Sequence, residues 1–237
     1  MKKYNKRITA ITNIVLVAVF SVVCAVSFVP ERTVPIYGGE GVSAIYHGNR
    51  EKANVSFMIN VYEGADIVDK MVETFDSYKV KATFFVGGCW ADDNEEILKK
   101  IVNSGHEIAN HGYFHKDHKK LSFEKNKEEI SMNGVIVKAL CGIDMNLFAP
   151  PSGSFSESTL VACSELGYKL IIWSKDTIDW RDKDTNLIYS RATKNPSNGD
   201  LILMHPKQHT LSILPKIIEF YQGAGFNIVS VSNNIAE

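Results

Sequence analysis

Four cysteines, seven prolines and a formal net charge of −1 in 237 residues set the first limits on this chain. Cys24 lies in an apolar run near the N-terminus, which leaves Cys89, Cys141 and Cys163 in the body. Three thiols without a repeated spacing exclude a disulfide framework or a zinc ribbon as the scaffold. They read as small buried apolar fillers, with a single bonded pair in an oxidising compartment left open. Charge of either sign is in short supply as well. The 26 Lys and Arg balance 27 Asp and Glu, and no basic stripe interleaved with aromatics exists, so no nucleic-acid partner is expected. Internal repeats, low-complexity tracts and a glycine-rich phosphate loop are also missing, which excludes solenoids and phosphate-cradling nucleotide sites.

Long hydrophobic runs are absent from the body, and the one exception stands at the start. Lys2, Lys3, Lys6 and Arg7 precede an uncharged run from Ile8 to Pro30. Roughly 20 apolar residues span a bilayer, and a basic flank stays in the cytoplasm. The expectation is a cytoplasmic tail over 1–7 and a transmembrane helix over 8–30, a single-pass anchor in the cell membrane with the body outside. A cleaved signal peptide, which would make the protein secreted, is the competing reading; its apolar core usually runs about 7 to 15 residues. Residues 31–53 carry Pro35, Gly38, Gly39, Gly41 and Gly48 without periodicity and read as a linker. The folded domain is then 54–237, and a monomer is expected.

Within the body, short apolar runs alternate with helical patterns. Strands are predicted at Val55 to Asn60, Ala82 to Val86, Glu107 to Asn110, near Leu147, at Leu170 to Trp173, Leu201 to Met204 and Asn227 to Ser230. Helices are predicted between them, near 65–78, 95–103, 122–140, 158–166, 185–192 and 211–221. Such alternation implies parallel strands wrapped by helices, an α/β fold of the small or incomplete barrel type. Ile67, Met71, Val72 and Phe75 fall on one side of the first helix, as an apolar stripe facing a sheet requires.

What the sequence does have is polar clusters at strand ends. His111 and His115 follow the apolar run Glu107-Ile108-Ala109-Asn110, and two neutral imidazoles at that spacing can converge on a divalent metal, zinc or a neighbouring first-row ion such as cobalt. Asp176-Thr177-Ile178-Asp179-Trp180 and His205-Pro206 each end another apolar run. Barrels of parallel strands gather their active-site residues at those ends.

The segments Lys81 to Gly87, Gly105 to Tyr113 and Gly199 to His205, in this order, resemble the polysaccharide deacetylases, the NodB-homology group of carbohydrate esterases, and among them their sporulation-associated members. The resemblance runs from about Val55 to Ile235. It implies a distorted (β/α) barrel of about seven strands and a metal-dependent hydrolase that removes acetyl groups from an extracellular glycan, peptidoglycan or an N-acetylglucosamine polymer. Matched position by position, it implies His111 and His115 as metal ligands, His205 as the acid for the leaving amine, and Asp179 as the residue that orients His205. A metal in such a site lowers the pKa of bound water and polarises the acetyl carbonyl. Trp180 and Tyr113, with Pro151 and Ser152, would bind substrate. Trp90 is open between sugar platform and core, and Asp117 and His118 are conceivable auxiliary ligands, while His106 and His209 read as ordinary structural residues.

The chain departs from that pattern where the chemistry is most demanding. Asn60 stands at the position of the base Asp, Val61 or Tyr62 at the third metal ligand, and Ala149 at the Arg that pairs with the base. An Arg left facing a neutral Asn would be a buried uncompensated charge, costing about 3 to 5 kcal/mol. Losing both keeps the site electrically balanced. Two readings follow: a divergent deacetylase of reduced activity, with Glu63 or Asp176 as a substitute base, or a catalytically degenerate glycan-binding protein.

Overall fold

The computed structural model describes residues 12–21 and 42–236, which fall into two compact units, Met1–Gly39 and Glu40–Glu237. In the first unit, residues 12–21 are helical with exposed side chains. The tail expected over 1–7 and most of the anchor expected over 8–30 lie outside the described residues, and among the described residues no helix is long and apolar enough to cross a membrane.

The second unit is a curled parallel half-barrel. Its strands are β1 (Asn54–Val61), β2 (Thr83–Val86), β3 (Glu107–Asn110), β4 (Leu147–Phe148), β5 (Lys169–Leu170), β6 (Lys175–Asp176), β7 (Asp200–Met204) and β8 (Asn227–Ile228). Seven run in the order β5-β4-β3-β2-β1-β7-β6, and β8 pairs with β1. Every pairing is parallel. Buried on both faces, β1 reads as a nearly continuous apolar run, as a central parallel strand must.

Side-chain alternation divides the core in two. Val55, Phe57, Ile59 and Val61 of β1, with Phe84, Val86, Ile108, Ile202 and Met204, belong to a cluster packed with helix residues. Met58, Phe85, Ala109, Leu147, Ala149 and Leu201 form a smaller cluster on the other face of the same strands. The outer face is covered by α1 (Ala65–Ser77), α2 (Gly88–Asp93), α3 (Glu95–Asn103), α4 (Phe123–Cys141), α5 (Glu157–Glu165), α6 (Thr185–Thr193) and α7 (Gln208–Gly223), and α8 (Val231–Ile235) closes the chain. The stripe expected in α1 is buried, with Val68 added to it. Local chemistry fixes several ends. Asp184 caps α6 by accepting from the N–H of Asn186 at 2.8 Å, and Gly142 ends α4 in the left-handed conformation, φ 74°, that glycine adopts without a Cβ penalty.

Three elements differ from expectation. The segment 88–93, without a helical stripe of its own, is a short helix carrying Trp90 into the core at 5% exposure, so Trp90 is a packing residue. The strand expected over Leu170 to Trp173 pairs as β5 only at Lys169 and Leu170, with Ile171 bridging to Ile45. Residues 45–49, read as linker, are tied into the domain: the N–H groups of Ile45, Gly48 and Asn49 donate to the carbonyls of Leu170, Gly199 and Asn234 at 2.7 to 2.8 Å. Gly48 serves close packing rather than flexibility, since a Cβ there would stand 2.2 Å from Asn234 Oδ1.

Candidate active site

Period-two alternation delivers the site. Asn60, His111, Ala149 and His205 each lie two residues beyond an inward-facing apolar residue, namely Met58, Ala109, Leu147 and Leu203, so all four share the inner face at the C-terminal ends of β1, β3, β4 and β7. There Asn60, His111 and His205 line a cavity of about 330 Å³ whose wall also includes Tyr62, His115, Ser152, Trp173, Asp176, Trp180 and Leu203. A larger, shallower depression of about 610 Å³ lies at Asn54, Lys79 and Phe226, toward the N-terminal end of β1, and carries none of these groups.

His205 is held at two points by Asp179. Its Nδ1 lies 2.7 Å from Asp179 Oδ1, and its backbone N–H donates to Oδ2 at 2.7 Å. Thr210 donates to Oδ2 at 2.7 Å as well. With Nδ1 engaged by the carboxylate, Nε2 is the ring nitrogen left for chemistry. Burial alone would push the Asp179 carboxyl up, but the hydrogen bonds and charge of His205 and the Thr210 hydroxyl hold it below its ordinary value. It is therefore a carboxylate at neutral pH. The turn that aims it is strained: Ile178, β-branched, sits at φ 55°, a conformation such residues rarely adopt. Asp176 Oδ1 accepts from the Ile178 N–H at 2.7 Å and stabilises that turn.

The two histidines of the β3 loop approach with ring centroids 5.1 Å apart. His111 Nδ1 donates to the Ala149 carbonyl at 2.7 Å, which leaves its lone pair on Nε2. Burial, and the neighbouring His115, push its pKa down to about 3, so it is a neutral imidazole. His115, at φ 55°, stacks on Tyr62 with centroids 4.1 Å apart. Glu129 of α4, which the sequence reading passed over, holds this loop by accepting from the N–H groups of Tyr113 and Phe114 at 3.0 and 2.8 Å.

Two neutral imidazoles are apt donors for zinc. No carboxylate joins them: Val61 packs in the outer cluster, Tyr62 presents a ring, and among the described residues no group of three or more His, Cys, Asp or Glu side chains is placed to hold a metal ion. Catalytic zinc sites use three protein ligands. These residues fit a weakly held ion and do not fit a resident catalytic metal.

The remaining candidates divide. Ser152 (φ 56°) and Trp180 line the cavity, Trp180 being 53% exposed. Pro151 is buried beside Ser152 and outside the wall. Tyr113 also lies outside it, its ring against Gly88, where a Cβ would stand 2.3 Å from Tyr113 Cδ2. His118 turns away to bond Asn126 at 2.7 Å, Asp117 accepts from Ser154 at 2.6 Å, and Glu63 pairs with Lys207. Trp173 and Leu203 are wall residues that the sequence does not single out, and Tyr62, expected only at a ligand position, is a wall aromatic. Alternation from Asn60 and His205 would have found Tyr62 and Leu203. Trp173 follows an irregular segment and approaches through Gly153, where a Cβ would stand 2.6 Å from its ring.

Comparison with known proteins places this geometry. The family model described as polysaccharide deacetylase matches residues 48–171. An uncharacterized protein of Bacillus subtilis (strain 168), YlxY, is 35% identical over 193 residues, 81% of this chain and 60% of that protein. The chain thus spans under two thirds of that relative. A peptidoglycan-N-acetylglucosamine deacetylase of Bacillus cereus is 28% identical over 191 residues, 78% of this chain and 70% of that one. Among solved structures, BA3943 from Bacillus anthracis, a CE4 family pseudoenzyme, superposes with TM-score 0.81 at 29% identity, covering 83% of this chain and 70% of that one. A BA3943 mutant with restored enzymatic activity superposes with the same TM-score at 27% identity, covering 83% of this chain and 72% of that one.

Proposed function

This chain belongs to the polysaccharide deacetylase family, and we propose that its cavity takes an acetylated amino sugar of a peptidoglycan- or chitin-type glycan and removes the acetyl group slowly. The observation that carries the reading is the pairing of His205 with buried, ionised Asp179 at the cavity wall. A module that only binds has no use for an oriented acid. In this reading water adds to the acetyl carbonyl carbon to form the new C–O bond, and His205, protonated, gives the proton on Nε2 to the amide nitrogen as the C–N bond breaks; acetate and a free amine leave, and the proton released by the added water restores the imidazolium. Asp179 keeps the imidazole in one orientation and offsets its charge. Trp180 offers a platform for an apolar sugar face, and Ser152 a hydroxyl at the wall. Asn60 cannot accept a proton from water, and the loss of a general base slows such reactions about 100 to 10,000-fold.

A second reading, glycan binding without turnover, is favoured by one specific observation: the side chains of both Asn60 and Ala149 are uncharged where the family places its Asp and Arg. The likeness to BA3943 is compatible with it. Acetate release from N-acetylated peptidoglycan and chitin oligomers by the full chain separates the two. We expect slow release that His205→Ala abolishes. Release indifferent to His205→Ala rules against the assigned acid, and binding without any release moves the conclusion to the second reading.

A further inference from the structure

We infer that this cavity binds the free amino sugar, the cationic residue that deacetylation leaves behind, more tightly than its N-acetylated parent. The inference shares with the reading above only the premise that the cavity is a glycan site. Tyr62, Trp173 and Trp180 put three aromatic side chains on its wall, Asp176 is the one Asp or Glu side chain among the wall residues, and no Lys or Arg lines it. An ammonium group is drawn to aromatic faces by their quadrupole and to a carboxylate by charge-assisted hydrogen bonds. A neutral acetamide gains neither.

The details of Asp176 point the same way. Asp176 Oδ1 is occupied by the Ile178 N–H at 2.7 Å, which fixes the carboxylate, while Oδ2 makes no hydrogen bond among the described residues. Asn60, on the same wall, is neutral and 2% exposed, so it sets no positive charge against the guest. Ala149, buried behind His111, is where the family places an Arg, a cation that would repel this guest. The cations around the cavity are paired with carboxylates: His205, when protonated, is offset by Asp179 at 2.7 Å from Nδ1. Lys207 is paired with Glu63, and Arg181, whose guanidinium lies 5.7 Å from the Trp180 ring centroid, is bound by both oxygens of Asp182 at 3.0 and 3.1 Å, so Tyr62 and Trp173 are the wall aromatics with no Arg or Lys over them among the described residues.

Isothermal titration of the full chain with a β-1,4-linked glucosamine tetramer and with its N-acetylated counterpart, at a pH where the amines are protonated, tests this. Hydrogen bonds to charged groups differ from neutral ones enough to expect about a tenfold preference for the amine. Asp176→Asn keeps the acceptor for the Ile178 N–H and removes only the charge, so it should bring the two affinities within about threefold. Equal or tighter binding of the acetylated tetramer by the unmutated chain overturns the inference and leaves the proposed function standing. Failure of both tetramers to bind removes the glycan site itself. A preference that survives Asp176→Asn intact overturns the assignment to this carboxylate, and the comparison on the unmutated chain decides the preference whether or not the variant folds.

Discussion

The imidazole of His111 is oriented by the backbone carbonyl of Ala149, at 2.7 Å from Nδ1. A main-chain atom does the holding, so the side chain at 149 can change without disturbing the histidine. The orientation of His111 is thus independent of which side chain stands at 149.

That separation allows charge to be introduced at positions 60 and 149 as a test. Asn60→Asp alone should help little, because a buried carboxylate without a partner has a raised pKa and stays protonated. Ala149→Arg alone places a cation beside a neutral amide, with a stability loss of about 3 kcal/mol. Together they act as one unit, and acetate release by the double variant should exceed the product of the single effects by about tenfold or more. Rates for the parent, both singles and the double on one N-acetylated oligomer check this; a double variant no faster than the better single rules out the coupling.

The legible part of this molecule was the part with a period. The apolar runs and the polar clusters that end them, at His111, Asp176 to Trp180 and His205, followed from pattern, whereas the order of the strands in the sheet and the alternation that sets Asn60, His111, Ala149 and His205 on one face appear only in the structure. What escaped reading depends on contacts between distant segments. Glu129 sits on a helix whose charges look solvated, and only the fold shows it accepting from the Tyr113 and Phe114 amides. Ile45 looked like linker because a single bridging residue leaves no periodic trace. Tyr113 read as a sugar contact by its neighbours in sequence, yet its ring fills the space that glycine leaves at position 88.

The uncharged run from Ile8 to Pro30 behind four basic residues predicts membrane anchoring with the body outside. Intact cells expressing the full chain should lose the domain to external protease, and fractionation should leave the undigested protein in the membrane pellet. Recovery of a soluble protein beginning near Val26 to Pro30 shows cleavage instead.

Metal affinity should be low. With two imidazoles and no anionic ligand, the full chain is expected to lose zinc on dialysis, yet saturating zinc should raise its melting temperature measurably by mass action. His111→Ala should remove that increment and lower the stability by about 1 to 3 kcal/mol, since the Ala149 carbonyl loses its donor. Stoichiometric zinc surviving dialysis contradicts the incomplete donor set.

His106 gives the fold a specific acid sensitivity. Its Nδ1 accepts from the Ala82 N–H at 3.2 Å, between Phe75 and Phe84, so a second ring proton would break that bond. Burial, and the positive charge of Lys81, lower its pKa to about 4, whereas an unfolded histidine titrates near 6.5. Between those values the unfolded chain binds the extra proton, and stability falls as the pH drops. From pH 7 to pH 5 this single residue should account for about 2 kcal/mol of lost stability. His111 acts in the same direction, its pKa being lowered to about 3. Replacing His106 with Phe removes the titrating ring while keeping its apolar contacts. Urea midpoints at the two pH values should therefore lie closer together for His106→Phe than for the parent by about that amount, and an unchanged gap rules against a buried neutral imidazole at this position.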